Sequence, residues 1–235
     1  MKIKIAHLYY DLLNLYGEQG NVLALVNAFK LQDISSAVDL LTVGDKINWN
    51  KYDIIYIGSG TENSLLIVIE DFKTHIKDFK KAVKDGKYII ATGNSHEIFG
   101  KFIEMNNQKH EALGVFDYYA KQNPKRIVGE SFMEFEGLSP IIGFQNRNTV
   151  MQRRGNYLFS VLNGYADNYK SSYEGYRENN FFGTYMLGPL LIRNPHFTDY
   201  IVKSILKEKK LAYEETLNTF EYKAYNEYLK NFYES

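Results

Sequence analysis

Two short, almost wholly apolar runs, Tyr52–Ile57 and Tyr88–Thr92, each break off at glycine, and each is followed by the start of a helical pattern. A run this short with no polar face suits a strand covered on both sides, which is the environment of a parallel sheet. The glycines that follow, Gly58 and Gly60 in one case and Gly93 in the other, suit tight turns from strand to helix at the carboxyl edge of such a sheet. The flanking sequence agrees. Lys2–Tyr9 alternates and then turns apolar as a first strand, and a helix is expected from near Asn21, with Val22, Leu25, Val26 and Phe29 on one buried stripe. Ala37–Val43 is a short β-like run, and Phe72, Ile76, Phe79 and Val83 form a second helical stripe that Gly86 ends. The first hundred residues therefore read as strand and helix units of a three-layer α/β fold, with a mostly parallel central sheet and helices on both faces.

Beyond Gly100 the pattern turns toward β structure. Gly114–Tyr119, Arg126–Phe135, Ile141–Asn146 and Asn156–Asn163 are runs divided by Gly, Pro and Asn, and they are expected to extend or flank the sheet. Phe181–Gly188 returns to an apolar strand, and two helices, near Phe197–Lys209 and Glu214–Phe232, close the chain. With no internal repeat or linker, residues 1–235 read as one domain, with the helices of 197–235 packed on it.

Composition removes several classes of function. Lys and Arg (28) balance Asp and Glu (28), so no net positive field favours nucleic acid or an anionic membrane surface. Apolar stretches are broken by charge well before the length of a spanning helix, so no membrane insertion and a cytoplasmic location are expected. The chain has no cysteine, which excludes disulfides, thiolate metal sites and a thiol nucleophile. His7, His75, His110 and His196 show no metal-ligand spacing, so neither a metal site nor a cofactor is expected.

The segment Tyr88–Thr92, Gly93-Asn94-Ser95, His96–Phe99 has the strand, turn and helix layout of a nucleophile elbow. Four further segments stand around it in order: Leu15-Tyr16-Gly17-Glu18-Gln19-Gly20-Asn21, Gly58-Ser59-Gly60, Gly143-Phe144-Gln145-Asn146, and Gly183–Leu190 with Arg193-Asn194-Pro195. Together they resemble the CobB/CobQ-type class I glutamine amidotransferases, a flavodoxin-like fold, and most of all the branch that supplies the glutaminase subunit of lipid II isoglutaminyl synthase. The first segment is similar to a Tyr-Gly-Asp-x-Gly-Asn motif, with Glu18 where aspartate is usual. Gly58-Ser59-Gly60 resembles a Gly-Gly-Gly loop that supplies oxyanion-hole backbone. Ala91–Gly100 is similar to Ala-x-Cys-Gly-Gly-Tyr-Gln-x-Leu-Gly, and Gly183–Leu190 to Gly-Thr-Tyr-x-His-Gly-Pro-x-Leu.

By that resemblance the nucleophilic cysteine falls on Gly93 and its histidine on Leu187. A hydrogen atom and an isobutyl group cannot attack a carboxamide or hold a thiolate deprotonated. Glutamine hydrolysis is therefore expected to be absent. Ser95 and His96 are unsuited as a replacement pair, because adjacent side chains on a helix do not face each other. Ser95 reads as a capping residue in the first turn and His96 as a partly exposed helix residue. The resemblance places Arg126 where an arginine holds the substrate, and a guanidinium there suits an α-carboxylate. Gly58, Ser59, Gly60, Asn94 and Arg126 are thus the expected ligand-binding residues, with glutamine or a related amino acid as ligand. The partner implied is a Mur-ligase-like synthetase that amidates cell-wall precursors. The other reading is a small-molecule sensor built on the dead pocket.

Overall fold

The computed structural model describes residues 2–233. Strand β1 (Lys2–Leu8) leads through a 3-10 turn at Leu15–Gly17 into α1 (Gln19–Leu31), and β2 (Ser35–Leu41) and β3 (Ile54–Ile57) follow. The stripe through Phe72 and Val83 then proves to run over two helices, α2 (Glu62–Phe72) and α3 (Ile76–Lys84), joined by a 3-10 turn at Lys73–His75. Thr74 causes the break: its hydroxyl donates to the Asp71 carbonyl at 3.0 Å and competes with the backbone ladder. Strand β4 (Tyr88–Thr92) enters the glycine turn, which continues as 3-10 helix over Gly93–Phe99.

Next come β5 (Phe102–Met105), β6 (Gln108–Glu111), β7 (Tyr118–Phe135), β8 (Leu138–Arg153), β9 (Phe159–Asn163), β10 (Tyr173–Glu174), β11 (Tyr176–Glu178) and β12 (Phe181–Thr184). The chain closes with α4 (Leu190–Arg193), α5 (Pro195–Glu208) and α6 (Phe220–Tyr233). His110 stands in β6. The last helix begins at Phe220, later than its composition suggests, because Glu214 is tied to the side chain of Gln32 by two 2.8 Å bonds that hold the connecting segment extended across α1.

The central sheet has the order β2-β1-β3-β4-β12-β11. Its first five strands are parallel and only the edge strand β11 is antiparallel. This is the flavodoxin-like order, whose direction reverses between β1 and β3 and leaves a crevice at the carboxyl ends of those strands. Alternation along the strands divides the core. Ile55, Ile57, Ile89 and Ala91 pack against α2 and α3, whereas Ile54, Tyr56, Tyr88 and Ile90 pack against α1 and α5.

The β-rich middle of the chain does not extend this sheet. It forms a second one, ordered β10-β9-β7-β5-β6, with β8 paired to β7. The runs that Gly and Pro seemed to divide are two long strands of one hairpin, paired from Tyr118 and Arg153 to Phe135 and Leu138. Pro124 is tolerated because it falls in an irregularity between Gln122 and Ile127, where the ladder needs no donor. The hairpin reaches both cores: Tyr118 and Ala120 join the α2/α3 side, Met133 and Phe135 the α1/α5 side.

Phe79 stacks on Phe99 with centroids 4.4 Å apart, and Phe72 and Phe181 meet the same rings edge on. This cluster fixes the end of the Gly93 turn against α3 and β12. Phe79→Ala should cost roughly 3–5 kcal/mol in urea unfolding; a loss under about 1 kcal/mol would show that the cluster does not anchor the turn.

Candidate functional site

The loops after β1, β3 and β4 converge at the switch point, and one buried carboxyl group joins them. Glu18, from the first segment, accepts hydrogen bonds from the hydroxyls of Tyr56 on β3 and Thr92 on β4, and from Asn21 Nδ2 at 3.2 Å. Asn21 Nδ2 also reaches Tyr56 Oη at 2.7 Å, and its Oδ1 accepts from the Leu191 backbone at 2.7 Å, which ties in the segment after β12. Burial pushes the Glu18 carboxyl up to about 7 against the lowering effect of these donors. Gly58 permits this closeness: a β-carbon there would collide with the Leu13 carbonyl and lie 2.9 Å from Glu18 Cβ.

Gly93, next along from Thr92, has φ +64°, the left-handed conformation that an elbow needs and that side chains resist. Leu187 faces it, held by two backbone hydrogen bonds with Phe144 of the Gly-Phe-Gln-Asn segment, at 2.8 and 3.2 Å. Asn194 holds the same strand from the other side, pairing with both the N–H and the carbonyl of Ile142 at 2.7 Å. A β-carbon on Gly93 would lie 2.5 Å from Ser59 Cβ and 2.8 Å from Leu187 Cδ2. The positions that match cysteine and histidine are thus neighbours in space, and the volume between them is filled by Ser59 and Leu187.

Ser95 and His96 depart from the sequence expectation. Ser95 is no cap: its hydroxyl donates to the Thr92 carbonyl at 2.9 Å and leans toward that of Ile57 at 3.3 Å. His96 is fully buried, with Nδ1 donating to the Gly93 carbonyl at 2.7 Å and its ring edge on to Tyr185. The reason for both is that this turn lies under the second sheet, where Tyr118 donates to the His96 carbonyl. Burial holds the imidazole neutral, down to about 3.

A cavity of about 250 Å³ opens beside the elbow, lined by Leu15 and Tyr16 after β1, Ser59–Glu62 after β3, Asn94 and Glu97 after β4, and Arg126 and Asn146–Thr149 from the long hairpin. Of the expected ligand-binding residues, Ser59, Gly60, Asn94 and Arg126 meet here, while Gly58 stays behind as a packing position. Arg126 is exposed at the mouth, where its Nε donates to Asn146 Oδ1 at 2.6 Å and Asn146 Nδ2 donates to Tyr16 Oη at 3.0 Å. These three residues span the rim between the first loop and the second sheet.

Sequence reasoning missed Glu97, Arg147 and Thr149, which line the cavity wall. The Glu97 carboxyl, at the glutamine position of the elbow motif, accepts from the Thr149 hydroxyl, and burial pushes it up to about 7. Arg147 is buried flat over the Tyr185 ring at 4.0 Å and donates to Gln145 Oε1 and to the carbonyls of Thr149 and Asp167. Behind it Asp167 pairs with Arg153 at 2.6 Å, and Glu174 accepts from Thr184 Oγ and the Tyr185 backbone N–H at 2.7 Å each. Desolvation raises both carboxyls. The only hint of this network in the sequence is a set of charged residues alternating within an apolar strand pattern. Among the described residues no group of three His, Asp or Glu side chains is arranged to hold a metal ion, and no helix is long and apolar enough to cross a membrane.

A flavodoxin-like sheet with a left-handed turn after β4, facing a residue on the segment after β12, has the architecture of the class I glutamine amidotransferases. The comparisons with known proteins agree. Residues 4–195 match the CobB/CobQ-like glutamine amidotransferase domain, and the chain belongs to that family. It is 28% identical over 216 residues to the lipid II isoglutaminyl synthase (glutamine-hydrolyzing) subunit GatD of Staphylococcus aureus (strain N315), covering 91% of this chain and 88% of that one. To the subunit of the same name from Streptococcus pneumoniae (strain ATCC BAA-255 / R6) it is 28% identical over 213 residues, covering 88% and 82%. A solved glutamine amidotransferase structure superposes with a TM-score of 0.57 at 17% identity, covering 86% of this chain and 98% of that one, a likeness of fold.

Glu97 gives a pH test of this electrostatic reading. Its carboxyl rises from 4.5 to about 7 on folding, so between those values the folded chain holds a proton that the unfolded chain has released. The stability that the neutral acid contributes is complete below pH 4.5 and is lost as pH rises through 7. His7 and His96, held down to about 4 and about 3, act in the opposite direction, since their contribution falls away as pH drops below 6.5. Glu97→Gln isolates the carboxyl. Its stability relative to the parent should rise by up to roughly 3 kcal/mol between pH 5 and pH 8 in urea titrations. A difference that stays flat over that range would mean that Glu97 ionises normally.

Proposed function

We propose that this chain is a non-hydrolysing amidotransferase-like subunit in the amidation of cell-wall precursors, associated in the cytoplasm with a Mur-ligase-like synthetase. Residues 1–235 act as one unit, with the helices of 197–235 packed on it. The likeness to subunits of lipid II isoglutaminyl synthase over most of both chains supports the pathway. The absence of hydrolysis rests on one observation: the elbow carries only the hydrogen atom of Gly93, and Leu187 stands where a base would have to be. Cleaving a carboxamide requires a nucleophile, and a group that removes and returns its proton. Ser95 points back into the sheet, and the burial of His96 keeps it neutral and bound to the turn itself. Neither supplies what is missing.

The cavity favours a second role within the same reading, the holding of an amino acid without cleaving it. Arg126 offers a guanidinium at the mouth, and Glu62, Glu97 and Glu104 line the same space. A zwitterion such as glutamine suits walls that carry both signs. Such a chain would act as a sensing or positioning subunit.

Three measurements test these statements. Ammonia release from glutamine should stay at the buffer rate, both for the chain alone and for its Leu187→Ala variant, while co-expression with the synthetase should yield a complex that survives gel filtration. Steady glutaminase turnover, or the absence of any complex, would remove the proposal. Calorimetric titration with L-glutamine or L-glutamate should give saturable heats that weaken at least tenfold in Arg126→Ala, as expected for a lost charge-assisted bond; identical isotherms would exclude Arg126 as the clamp.

A further inference from the structure

Gly60 turns both its backbone N–H and its backbone C=O toward the cavity wall, and both are already taken. Its N–H donates to Asn94 Oδ1 at 3.1 Å, and Asn94 Nδ2 donates to its carbonyl at 2.8 Å. The chemistry of the peptide settles the orientation of the carboxamide, since an N–H only donates and a C=O only accepts. Ser59 adds a third contact, its hydroxyl donating to the same Oδ1 at 3.3 Å. The Ser59 hydroxymethyl group also stands in the space that a side chain on Gly93 would enter, with Oγ 2.6 Å from that β-carbon position. Neither Gly93 nor Leu187 reaches the cavity surface, whereas Ser59, Gly60 and Asn94 do.

A residue that offers its backbone donor and acceptor side by side at the wall of a cavity is matched by one chemical class in particular, the primary carboxamide, which offers the complementary acceptor and donor at the same spacing. The geometry points to Asn94 as a built-in occupant of a carboxamide seat: its own side chain fills the place where the carboxamide of a ligand would pair with Gly60, and Ser59 plugs the passage behind it toward Gly93. The seat is satisfied internally, so an external carboxamide gains nothing there unless Asn94 swings away. This deepens the non-hydrolysing reading and takes its biological meaning from it. It adds that the hydrolytic corner is sealed by two further side chains, not only stripped of its two reactive ones. Restoring a nucleophile at Gly93 and a base at Leu187 would leave the corner shut.

The test reads the seat directly, on the full-length chain. In the parent the Gly60 amide proton should exchange slowly. In Asn94→Ala, which keeps the turn but removes the carboxamide, exchange should speed by about tenfold or more, as for a lost protecting bond. Added L-glutamine should slow it again in the variant and leave the parent unchanged. Unaltered Gly60 exchange in Asn94→Ala would overturn the occupant, and faster exchange that L-glutamine does not slow would overturn the carboxamide class.

The plug has its own readout, because a chain without cysteine gives a single clean thiol. Gly93→Cys should lower the melting temperature by roughly 4–10 °C through overpacking and positive-φ strain. In a Ser59→Gly background about half of that loss should be recovered, and iodoacetamide should alkylate the thiol about tenfold faster, a coupling between touching sites. Equal losses and equal labelling rates in the two backgrounds would overturn the plug. Should Gly93→Cys fail to fold, Gly93→Ala introduces the same β-carbon, and the melting-temperature coupling alone decides. None of these readings depends on ammonia release or on a synthetase, so a failure here is distinct from a failure of the functional proposal.

Discussion

One buried carboxyl group sets the geometry on which the site depends. Glu18 lies where the loops after β1, β3 and β4 meet, and it gathers donors from α1, β3 and β4 onto a single oxygen. A parallel sheet leaves the carboxyl ends of its strands as separate loops that water can pull apart. Joining them requires a group with several acceptor positions and no solvent. The desolvation cost appears in the upward shift of the Glu18 carboxyl, and the three donors offset part of it. Thr92 is one of those donors and immediately precedes Gly93, so the elbow is tied to the first loop through a single residue. The node is fully buried and takes no part in the cavity lining. Its role is therefore architectural: without it Gly58 would have no reason to approach the Leu13 carbonyl so closely.

How much of this could be read in the sequence follows from the range of each interaction. The central sheet was legible because its strands are short, buried on both faces and punctuated by glycine, all of which are local signals. Gly93 and Leu187 are paired only by the family resemblance; in the structure a β-carbon on Gly93 would lie 2.8 Å from Leu187 Cδ2. Whether the middle of the chain extends or flanks the central sheet is not legible, for a physical reason. Pro124, Gly129 and Gly143 ordinarily divide strands, but here a bulge and a long hairpin absorb them, and hairpin pairing is a non-local decision that propensity does not record. The burial of His96 escaped for the same reason: what covers it, Tyr118 and Tyr185, arrives from strands far along the chain. Arg147 is only hinted at, because a charge inside a strand pattern reads as an exposed face until its partners are known, and Glu97 is hidden in the turn, whose cover arrives from the second sheet.

The second sheet also explains why the wall of the cavity is polar and yet firm. Arg147 spends its donors on the Thr149 carbonyl of its own strand and the Asp167 carbonyl between β9 and β10 and lies on Tyr185, so its charge is buried without an ion pair of its own. Asp167 and Glu174 stand behind it with raised pKa values, which lowers the amount of negative charge that the interior must hold. A buried network of this kind is stable only when nearly every member is satisfied. It therefore fixes the relative position of the hairpin and the elbow, and with it the position of Thr149 and Glu97 beside Asn94.

Asn94 and Ser59 give the departures from the family pattern a common direction. Where an open amidotransferase corner needs empty space above the turn and unpaired backbone donors beside it, this chain has a hydroxymethyl group in the space and a carboxamide on the donor. Small side chains at positions 59, 94 and 187 would leave the backbone of Gly60 unsatisfied and a void above the turn, both of which destabilise a fold. Filling the void with Leu187 and pairing Gly60 with Asn94 remove those costs. The result is an elbow that keeps its left-handed turn as a structural corner, next to a cavity that remains open and charged on both sides. Ser59 and Asn94 belong to both, packing the corner and lining the cavity, so a change at either alters the two together.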